Sequence, residues 1–331
     1  MKWVGEMVAQ GKSLDEIKKE SRCRNTPIGP TKTICRKISR SPTNLSRSDA
    51  SIPTRFSELT VKPAAPLLLV FCLCTFSGAA LAQQEIVTLA TRPGATQSFF
   101  LTSIPRELRA VAILLPGSGG LINLRSENGQ PKFGQGNFLV RSRTQFIKNG
   151  AVAAILDAPS DHQIGWGMTD EFRLGEQHYA DLSAVIDNLG KRFPDKPLFL
   201  VGTSRGTISA AAVGARVDGR VAGVVLTSTM FRPAPKKSQE PGPGLSQFDF
   251  ATIKAPVLFV HHVSDQCEVT PYSDAARLSD TYPLISVFGG APPQSGPCDA
   301  FSAHGYLGKE SETVEQIVNW MLKKPFRHEV K

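Results

Sequence analysis

Residues 197–206 read Pro-Leu-Phe-Leu-Val-Gly-Thr-Ser-Arg-Gly, and an alanine-rich stretch, 207–217, follows at once. The apolar run predicts a buried strand, and the alanine-rich stretch predicts a helix. The turn between them is so tight that the positions two before and two after Ser204 must lack a side chain, a need that Gly202 and Gly206 meet. A strand, G-x-S-x-G and a helix, in that order, indicate a nucleophile elbow, which exposes the serine hydroxyl at the N-terminal end of the helix.

Strand and helix patterns alternate along the rest of the chain. The strands predicted beside the elbow strand are 85–92, 97–105, 109–116, 151–158, 221–230, 256–263 and 284–288, and the first two form a hairpin around Pro93-Gly94. The predicted helices are 137–149, 177–193, 272–280 and 311–323. This alternation predicts an α/β fold with a largely parallel sheet and helices on both faces, formed by one domain over residues 83–331.

Charge is unevenly distributed along the 331 residues, which carry a net charge of +9. Residues 1–82 hold 13 of the 38 Lys and Arg but only 6 of the 29 Asp and Glu, so the remainder has a net charge of +2. No basic stripe is left for a phosphate backbone, and nucleic acid is therefore not an expected partner.

Residues 63–82 form an apolar segment preceded by Lys62 and closed by the small residues Ala80-Leu81-Ala82. This pattern predicts a signal peptide cleaved after Ala82, hence an exported protein, periplasmic or secreted. The alternatives are a membrane anchor or a buried helix, but the segment is short for a membrane span. Cys72 and Cys74 lack a preceding lipobox, so we expect no stable membrane anchor.

Residues 1–61 are rich in Ser, Thr, Arg and Lys and lack a hydrophobic period, which predicts a disordered leader. Signal peptides sit at the N-terminus of a precursor. Our hypothesis is that the start site is misassigned and that translation begins near Val61; a transit peptide is the alternative.

Only two cysteines, Cys267 and Cys298, follow the predicted cleavage position. An even number in an oxidising compartment predicts that they pair. A metal site needs more Cys and His ligands at short spacing than this region offers, so we expect no metal.

A serine nucleophile needs a base, and in this kind of fold the base follows the serine and the acid in the chain. His304 lies in a loop between the last strand and the last helix, from which it can reach the elbow. His261 and His262 lie within an apolar strand and suit a structural role, and His328 lies in a charged tail. His304 is therefore the predicted base.

The predicted acid is Asp265, which follows the apolar run 256–263. A carboxylate at the carboxyl end of a strand lies on the ligand-binding edge of a parallel sheet, where it can fix the tautomer of the base. An aspartate that merely starts a turn is the structural alternative, and Glu268 and Asp299 are rival acids.

The glycine-rich turn Pro116-Gly117-Ser118-Gly119-Gly120 follows the strand 109–116. Such a turn exposes backbone N–H groups, so we expect an oxyanion hole made by the N–H of Ser118 and the N–H of Arg205, the residue after the nucleophile. A phosphate-binding loop is the alternative, but no helix or Lys-Ser/Thr pair follows. A bridge between the cysteines would tie the loop of the acid to the loop of the base, besides stabilising the fold.

These residues resemble the α/β-hydrolase superfamily, in particular its dienelactone-hydrolase-like and small-esterase branches. Gly202–Gly206, Pro116–Ser118, Asp265 and His304 carry the likeness in the family's order, over residues 85–325. The resemblance implies a sheet of about eight strands and acyl-enzyme chemistry without a cofactor. Dienelactone hydrolases carry cysteine where this chain has Ser204, and the usual His-Gly of the oxyanion turn is Pro116-Gly117 here.

The expected reaction is hydrolysis of a small-molecule carboxylic ester. A peptidase or amidase using the same three residues is the alternative, and a catalytically inactive binding protein is a third. Gly117 and, in the loop 159–168, His162 and Trp166 are the candidate substrate contacts. The segment 231–252 occupies the place of a cap but is too short for a separate domain, so an open site is expected. The oligomeric state has no signal in the sequence.

Overall fold

A computed structural model describes residues 84–235 and 241–331. The predicted leader and signal peptide lie outside these residues. The described chain begins with an antiparallel hairpin, β1 (Glu85–Arg92) and β2 (Ala95–Leu101). Its turn contains Gly94 at φ +74°, a backbone conformation that favours glycine. The predicted hairpin around Pro93-Gly94 is confirmed.

The remaining strands follow in chain order, and their bounds are β3 (Ala110–Leu115), β4 (Arg125–Glu127), β5 (Gln130–Lys132), β6 (Ala151–Leu156), β7 (Leu198–Thr203), β8 (Gly223–Thr227), β9 (Val257–His262), β10 (Leu284–Val287) and β11 (Glu329–Val330). The main sheet has the order β1-β2-β6-β3-β7-β8-β9-β10-β11, whereas β4 and β5 form a separate hairpin. From β6 onward every neighbouring pair in the main sheet is parallel. The central strands are buried along their whole length, as expected for strands covered on both faces.

Seven α-helices lie in the described part of the chain: α1 (Phe138–Arg141), α2 (Arg143–Lys148), α3 (Asp170–Leu174), α4 (Glu176–Arg192), α5 (Gly206–Gly214), α6 (Tyr272–Ala276) and α7 (Glu310–Met321). Within residues 84–235 and 241–331, none of them is long and apolar enough to cross a membrane. The predicted helix 137–149 is divided at Ser142, where α1 ends and α2 begins.

The core has two halves, one on each face of the sheet. On one face, α4 and α5 pack with residues such as Leu182, Leu189 and Ile208. On the other face, α1, α2 and α7 pack with residues such as Phe146 and Ile317. The prediction of helices on both faces is confirmed, and the apolar period of α4 explains why it faces the sheet.

Strand order fixes the position of the site. After β3 the chain runs to β6 on one side of β3, and then to β7 on its other side. The carboxyl ends of β3 and β7 therefore border a topological switch point, which is where ligands bind in open α/β sheets. Ser118 follows β3 and Ser204 follows β7, so the two lie at the same sheet edge.

The sheet has nine strands rather than about eight, because the short β11 pairs in parallel with β10 at its edge. His328 immediately precedes this strand. Its side chain is exposed, as expected, but its Nδ1 lies 3.0 Å from the carbonyl oxygen of Leu284.

Candidate active site

The turn that carries Ser204 has the tight geometry that its sequence predicts. Ser204 has φ +52°, in the left-handed region that non-glycine residues rarely adopt. A Cβ on Gly202 would lie 2.4 Å from the carbonyl oxygen of Gly206. A Cβ on Gly206 would lie 2.0 Å from the carbonyl oxygen of Leu115. Both positions therefore exclude any side chain, and glycine is required at each.

Backbone hydrogen bonds hold Ser204 in this conformation. Its N–H donates to the carbonyl of Thr227 at 3.0 Å. Its carbonyl accepts from both the N–H and the hydroxyl of Thr207, at 2.9 Å and 2.6 Å. The serine thus sits between β7 and the first turn of α5 with its backbone fixed, which restricts where its hydroxyl can lie.

The glycine-rich turn after β3 lies against Ser204. A Cβ on Gly117 would be 3.0 Å from the Cβ of Ser204. The carbonyl of Gly117 accepts from the N–H of Gly120 at 2.9 Å, which fixes the peptide plane that carries the Ser118 N–H. That N–H makes no hydrogen bond to another group of the described chain. The Gly117 carbonyl oxygen is thus bonded within the turn, and the Ser118 N–H lies on the opposite side of the same peptide plane.

Arg173 supports the same turn from behind. Its side chain is 1% exposed, and its guanidinium donates to the carbonyl of Ser118 and to the hydroxyl of Ser209, each at 2.7 Å. Ser118 itself has φ +47°. The arginine therefore connects the glycine-rich turn after β3 to α5, the helix that follows Ser204.

His304 and Asp265 are hydrogen-bonded to each other. Nδ1 of His304 lies 3.0 Å from Oδ2 of Asp265, and both side chains are buried. A carboxylate can only accept, so Nδ1 carries a proton and Nε2 of the neutral ring is left as an acceptor. Of the rival acids, Glu268 is exposed, and exposed Asp299 instead accepts from the N–H of Gly296.

Thr270 joins this pair, and it was not among the predicted site residues. Its hydroxyl donates to Oδ2 of Asp265 at 2.9 Å and lies 3.1 Å from Nδ1 of His304. Oδ1 of the same carboxylate accepts from the N–H of Cys267 at 2.9 Å. The buried carboxylate therefore has three donors: the Thr270 hydroxyl, the Cys267 N–H and the ring N–H of His304.

Cys267 and Cys298 form the predicted disulfide, with their Cα atoms 4.6 Å apart. Cys267 lies two residues after Asp265, and Cys298 lies six residues before His304. The bridge therefore joins the loop that carries Asp265 to the loop that carries His304.

Ser204 and His304 line one cavity of about 310 Å³. Its lining residues are Pro116, Gly117, Ser118, Leu121, Ile122, Gly134, Gly136, Asn137, Phe138, Thr203, Ser204, Cys298, Asp299, Ala300, His304 and Gly305. Among the predicted substrate contacts, Gly117 is a lining residue, whereas His162 and Trp166 are not. His162 packs against Phe172, and Trp166 is 57% exposed with its backbone against Gly119.

Two segments of the cavity wall are held together by Arg141. Its guanidinium donates to the carbonyls of Gly136 and Gly305 and to the carboxylate of Glu310. It also lies 5.2 Å from the centre of the Phe301 ring. The wall therefore depends on a side chain that is itself outside the cavity lining.

The strand histidines have the structural role expected of them. Nε2 of His261 accepts from the N–H of Thr229 at 2.8 Å, and burial lowers the pKa of His261 to about 3. Nε2 of His262 lies 2.9 Å from the carbonyl oxygen of Gly289, and burial lowers its pKa as well. Both rings are neutral at physiological pH, and neither lines the cavity.

A buried ion pair connects the elbow to α3. Arg205 pairs with Asp170, whose other carboxylate oxygen accepts from the N–H of Gly244 at 2.9 Å. This pair connects Arg205, the residue after Ser204, to the segment 231–252, the predicted place of a cap. Residues 236–240 of that segment lie outside the described chain. No local signal in the sequence identifies Asp170 or Arg173 as partners of the site.

Within the described residues, no group of three or more His, Cys, Asp or Glu side chains is arranged to hold a metal ion.

The chain has the fold of the α/β hydrolases. Residues 160–283 match the family described as serine aminopeptidase, S33. Est1E from Butyrivibrio proteoclasticus with bound ferulic acid is 17% identical, with a TM-score of 0.50, over 72% of this chain and 98% of that chain.

Two further structures are similar at lower scores. An alpha-beta serine hydrolase homologue from Coxiella burnetii is 17% identical, covers 72% of this chain and 96% of its own, and has a TM-score of 0.45. XC6422 from Xanthomonas campestris is 13% identical, covers 73% and 94%, and has a TM-score of 0.46. A comparison with curated proteins finds no significant match.

Proposed function

We propose that this protein is a serine hydrolase that cleaves small carboxylic esters through an acyl-enzyme intermediate. The single observation that carries the proposal is the convergence of His304, hydrogen-bonded to Asp265, on the cavity that holds Ser204. These three residues stand 61 and 39 positions apart in the chain, yet Asp265 is bonded to His304, and His304 lines the same cavity as Ser204. That arrangement supplies a nucleophile, a base and a group that orients the base.

In the proposed mechanism, Nε2 of His304 takes the proton of the Ser204 hydroxyl as the hydroxyl oxygen attacks the ester carbonyl. The N–H groups of Ser118 and Arg205 stabilise the oxyanion of the tetrahedral intermediate. His304 then gives its proton to the leaving alcohol, and the acyl group stays on Ser204. A water molecule, deprotonated by His304, attacks the acyl-enzyme and releases the acid.

Covalent labelling tests the proposal. A fluorophosphonate probe should label wild-type protein at one site, and Ser204→Ala should abolish the labelling and lower ester hydrolysis by roughly 10⁴-fold or more. Ser279→Ala is the matched control, because Ser279 is exposed and outside the cavity, and it should label like the wild type. Folded wild-type protein that neither reacts with the probe nor hydrolyses short p-nitrophenyl esters would leave only the inactive binding protein.

A peptidase is the second candidate, and the match of residues 160–283 to serine aminopeptidases favours it. An aminopeptidase has to hold the ammonium group of its substrate, and Asp299 is the one carboxylate among the residues that line the cavity. Aminoacyl p-nitroanilides, compared with p-nitrophenyl esters, separate the two. Faster cleavage of the anilides, with a loss of that preference in Asp299→Asn, would assign the peptidase reaction instead.

We also propose that the protein is exported, to the periplasm or the medium. The disulfide between Cys267 and Cys298 supports this, since such bridges persist in oxidising compartments. N-terminal sequencing of the mature protein tests it: a first residue at or near Gln83 is expected, and an intact residue 1 would contradict cleavage.

A further inference from the structure

Three polar atoms form a closed triangle beneath the base. Thr270 Oγ1 lies 2.9 Å from Asp265 Oδ2 and 3.1 Å from His304 Nδ1, and the third side, from Nδ1 to Oδ2, is 3.0 Å. Thr270 is completely buried. The threonine hydroxyl is thus in contact with both the acid and the base, with no solvent between them.

The protons available to the triangle fix the role of each atom. The single hydroxyl hydrogen of Thr270 is donated to Asp265, because the carboxylate can only accept. The lone pairs of the hydroxyl are then left for the Nδ1–H of His304. That hydrogen is shared between Oδ2 and Oγ1, and the ring is confined to the tautomer whose Nε2 accepts.

A purely architectural role would not need the hydroxyl. The loop from Asp265 to Thr270 is already closed by backbone bonds, since the Thr270 N–H donates to the carbonyl of Cys267 at 3.1 Å. Elsewhere, the hydroxyl of buried Thr313 has no hydrogen-bond partner within the described chain. The fold therefore accepts a buried threonine for its shape alone, and Thr270 differs because its hydroxyl is bonded to the acid.

We propose that Thr270 is a positioning residue of the hydrolytic site, whose hydroxyl orients the Asp265 carboxylate and holds His304 in its working tautomer and orientation. This inference rests on the proposed function. Loss of the hydroxyl removes one of the three donors to a buried carboxylate. The pair of acid and base then binds its next proton more tightly, whichever partner carries it, and the base becomes available only at higher pH.

The other titratable groups near Asp265 and His304 do not change their charge near neutral pH. His261, His262 and Tyr306 interact electrostatically with Asp265, and Asp274 interacts with His261. Burial lowers the pKa of both histidines and raises the pKa of Tyr306, so all three are neutral around pH 7. Asp274 is paired with Arg232 and Arg277. An acid limb in the activity near neutral pH therefore reports on the pair itself.

The test compares variants that keep or lose the hydroxyl. Thr270→Val and Thr270→Ala remove it, Thr270→Ser keeps it, and Thr313→Val is the matched control at a buried threonine away from the acid and base. The measurement is kcat/KM for a p-nitrophenyl ester between pH 5 and pH 9, with thermal unfolding of each variant alongside.

We expect the hydroxyl-free variants to lose about tenfold in kcat/KM, the effect of one hydrogen bond to a charged group. Their acid limb should move to higher pH by about half to one unit. Thr270→Ser should stay within about twofold of the wild type with its limb in place, and Thr313→Val should change neither quantity.

An unshifted limb in folded Thr270→Val and Thr270→Ala would overturn the proposal, and so would an equal loss in Thr270→Ser. Failure of both hydroxyl-free variants to fold, with a folded Thr270→Ser, would assign the hydroxyl to stability and also overturn it. Wild-type labelling by the fluorophosphonate probe separates this outcome from failure of the proposed function: an inert wild type ends both, whereas an active wild type with an unshifted Thr270→Val ends this inference alone.

Discussion

The two halves of the candidate site are built in opposite ways. The elbow is compact: Gly202, Ser204 and Gly206 lie within five residues, and close backbone packing and hydrogen bonds to Ser204 fix their geometry. The acid and the base are 39 residues apart and are held together by a disulfide, a shared threonine and the hydrogen bond between them. A side chain added in the elbow should therefore clash with backbone atoms that cannot move. Loss of one contact between Asp265 and His304 should instead lower stability or activity only in part.

The largest expected effect is in the elbow. Gly206→Ala would put a Cβ 2.0 Å from one backbone oxygen and 2.8 Å from the carbonyl carbon of the same residue, Leu115. Neither atom can move without shifting β3, so we expect a loss of about 3 kcal/mol or more in the free energy of unfolding. Urea unfolding measures it, and ester hydrolysis should fall in parallel.

Gly190 provides the matched control, because it lies inside α4 and a Cβ there would meet no atom within 4 Å. Gly190→Ala should be neutral or more stable by up to about 1 kcal/mol, as alanine is the better helix former. Equal stability of the two alanine variants would show that the elbow is not sterically closed.

A smaller effect is expected on the acid and base side when the disulfide is removed. Cys267→Ser with Cys298→Ser should lower the free energy of unfolding by roughly 2–4 kcal/mol, since the bridge closes a loop of 31 residues. Removal of the disulfide should also lower kcat, because the loops that carry Asp265 and His304 are then no longer covalently linked. Urea unfolding and ester hydrolysis together measure both consequences.

Reduction of the wild type offers the same test without mutation. Cys298 is exposed and lines the cavity, so a thiol reagent can reach it. Activity should fall under dithiothreitol and return on reoxidation, while the double serine variant should not respond. Full activity of the reduced protein would contradict the coupling of the bridge to the acid and base.

The smallest effect per residue and per pH unit is expected at the histidines other than His304. Burial holds the pKa of His178 well below its usual range, lowers that of His262, and lowers that of His261 to about 3. In the unfolded chain these groups bind protons below about pH 6.5, so the free energy of unfolding is highest above that pH and falls on acidification. The expected slope is up to about 1.4 kcal/mol per pH unit for each histidine.

Urea unfolding at pH 7.5, 6 and 5 measures the slope. His261→Gln, whose Oε1 can replace Nε2 as acceptor for Thr229, should remove about one histidine's share of the slope. His328→Asn, at an exposed residue, should leave it unchanged. An unaltered slope in His261→Gln would mean that His261 is protonated in the folded state.

Features that depend on consecutive residues of the chain could be predicted from the sequence. The continuous apolar runs gave β3, β7 and β9 within one or two residues of their observed bounds, and G-x-S-x-G gave the elbow. The positions of Asp265 and His304 followed from the sheet topology, because parallel strands bring their carboxyl ends to one edge.

Features that depend on distant partners could not. The hairpin of β4 and β5 and the short strand β11 have two or three residues each, too few for a hydrophobic period to register. The roles of Thr270, Asp170 and Arg173 rest on bonds to residues between 5 and 74 positions away. A buried polar side chain resembles an exposed one in sequence, and only its tertiary partners distinguish the two.

Arg141 has a consequence for attempts to re-engineer the protein. Its guanidinium bonds to the carbonyls of Gly136 and Gly305, so the spacing of these two cavity-lining residues depends on a side chain that does not line the cavity itself. Mutant libraries restricted to the lining residues would leave the spacing of Gly136 and Gly305 unchanged. A shorter or uncharged residue at position 141 should let the two glycines separate and widen the cavity.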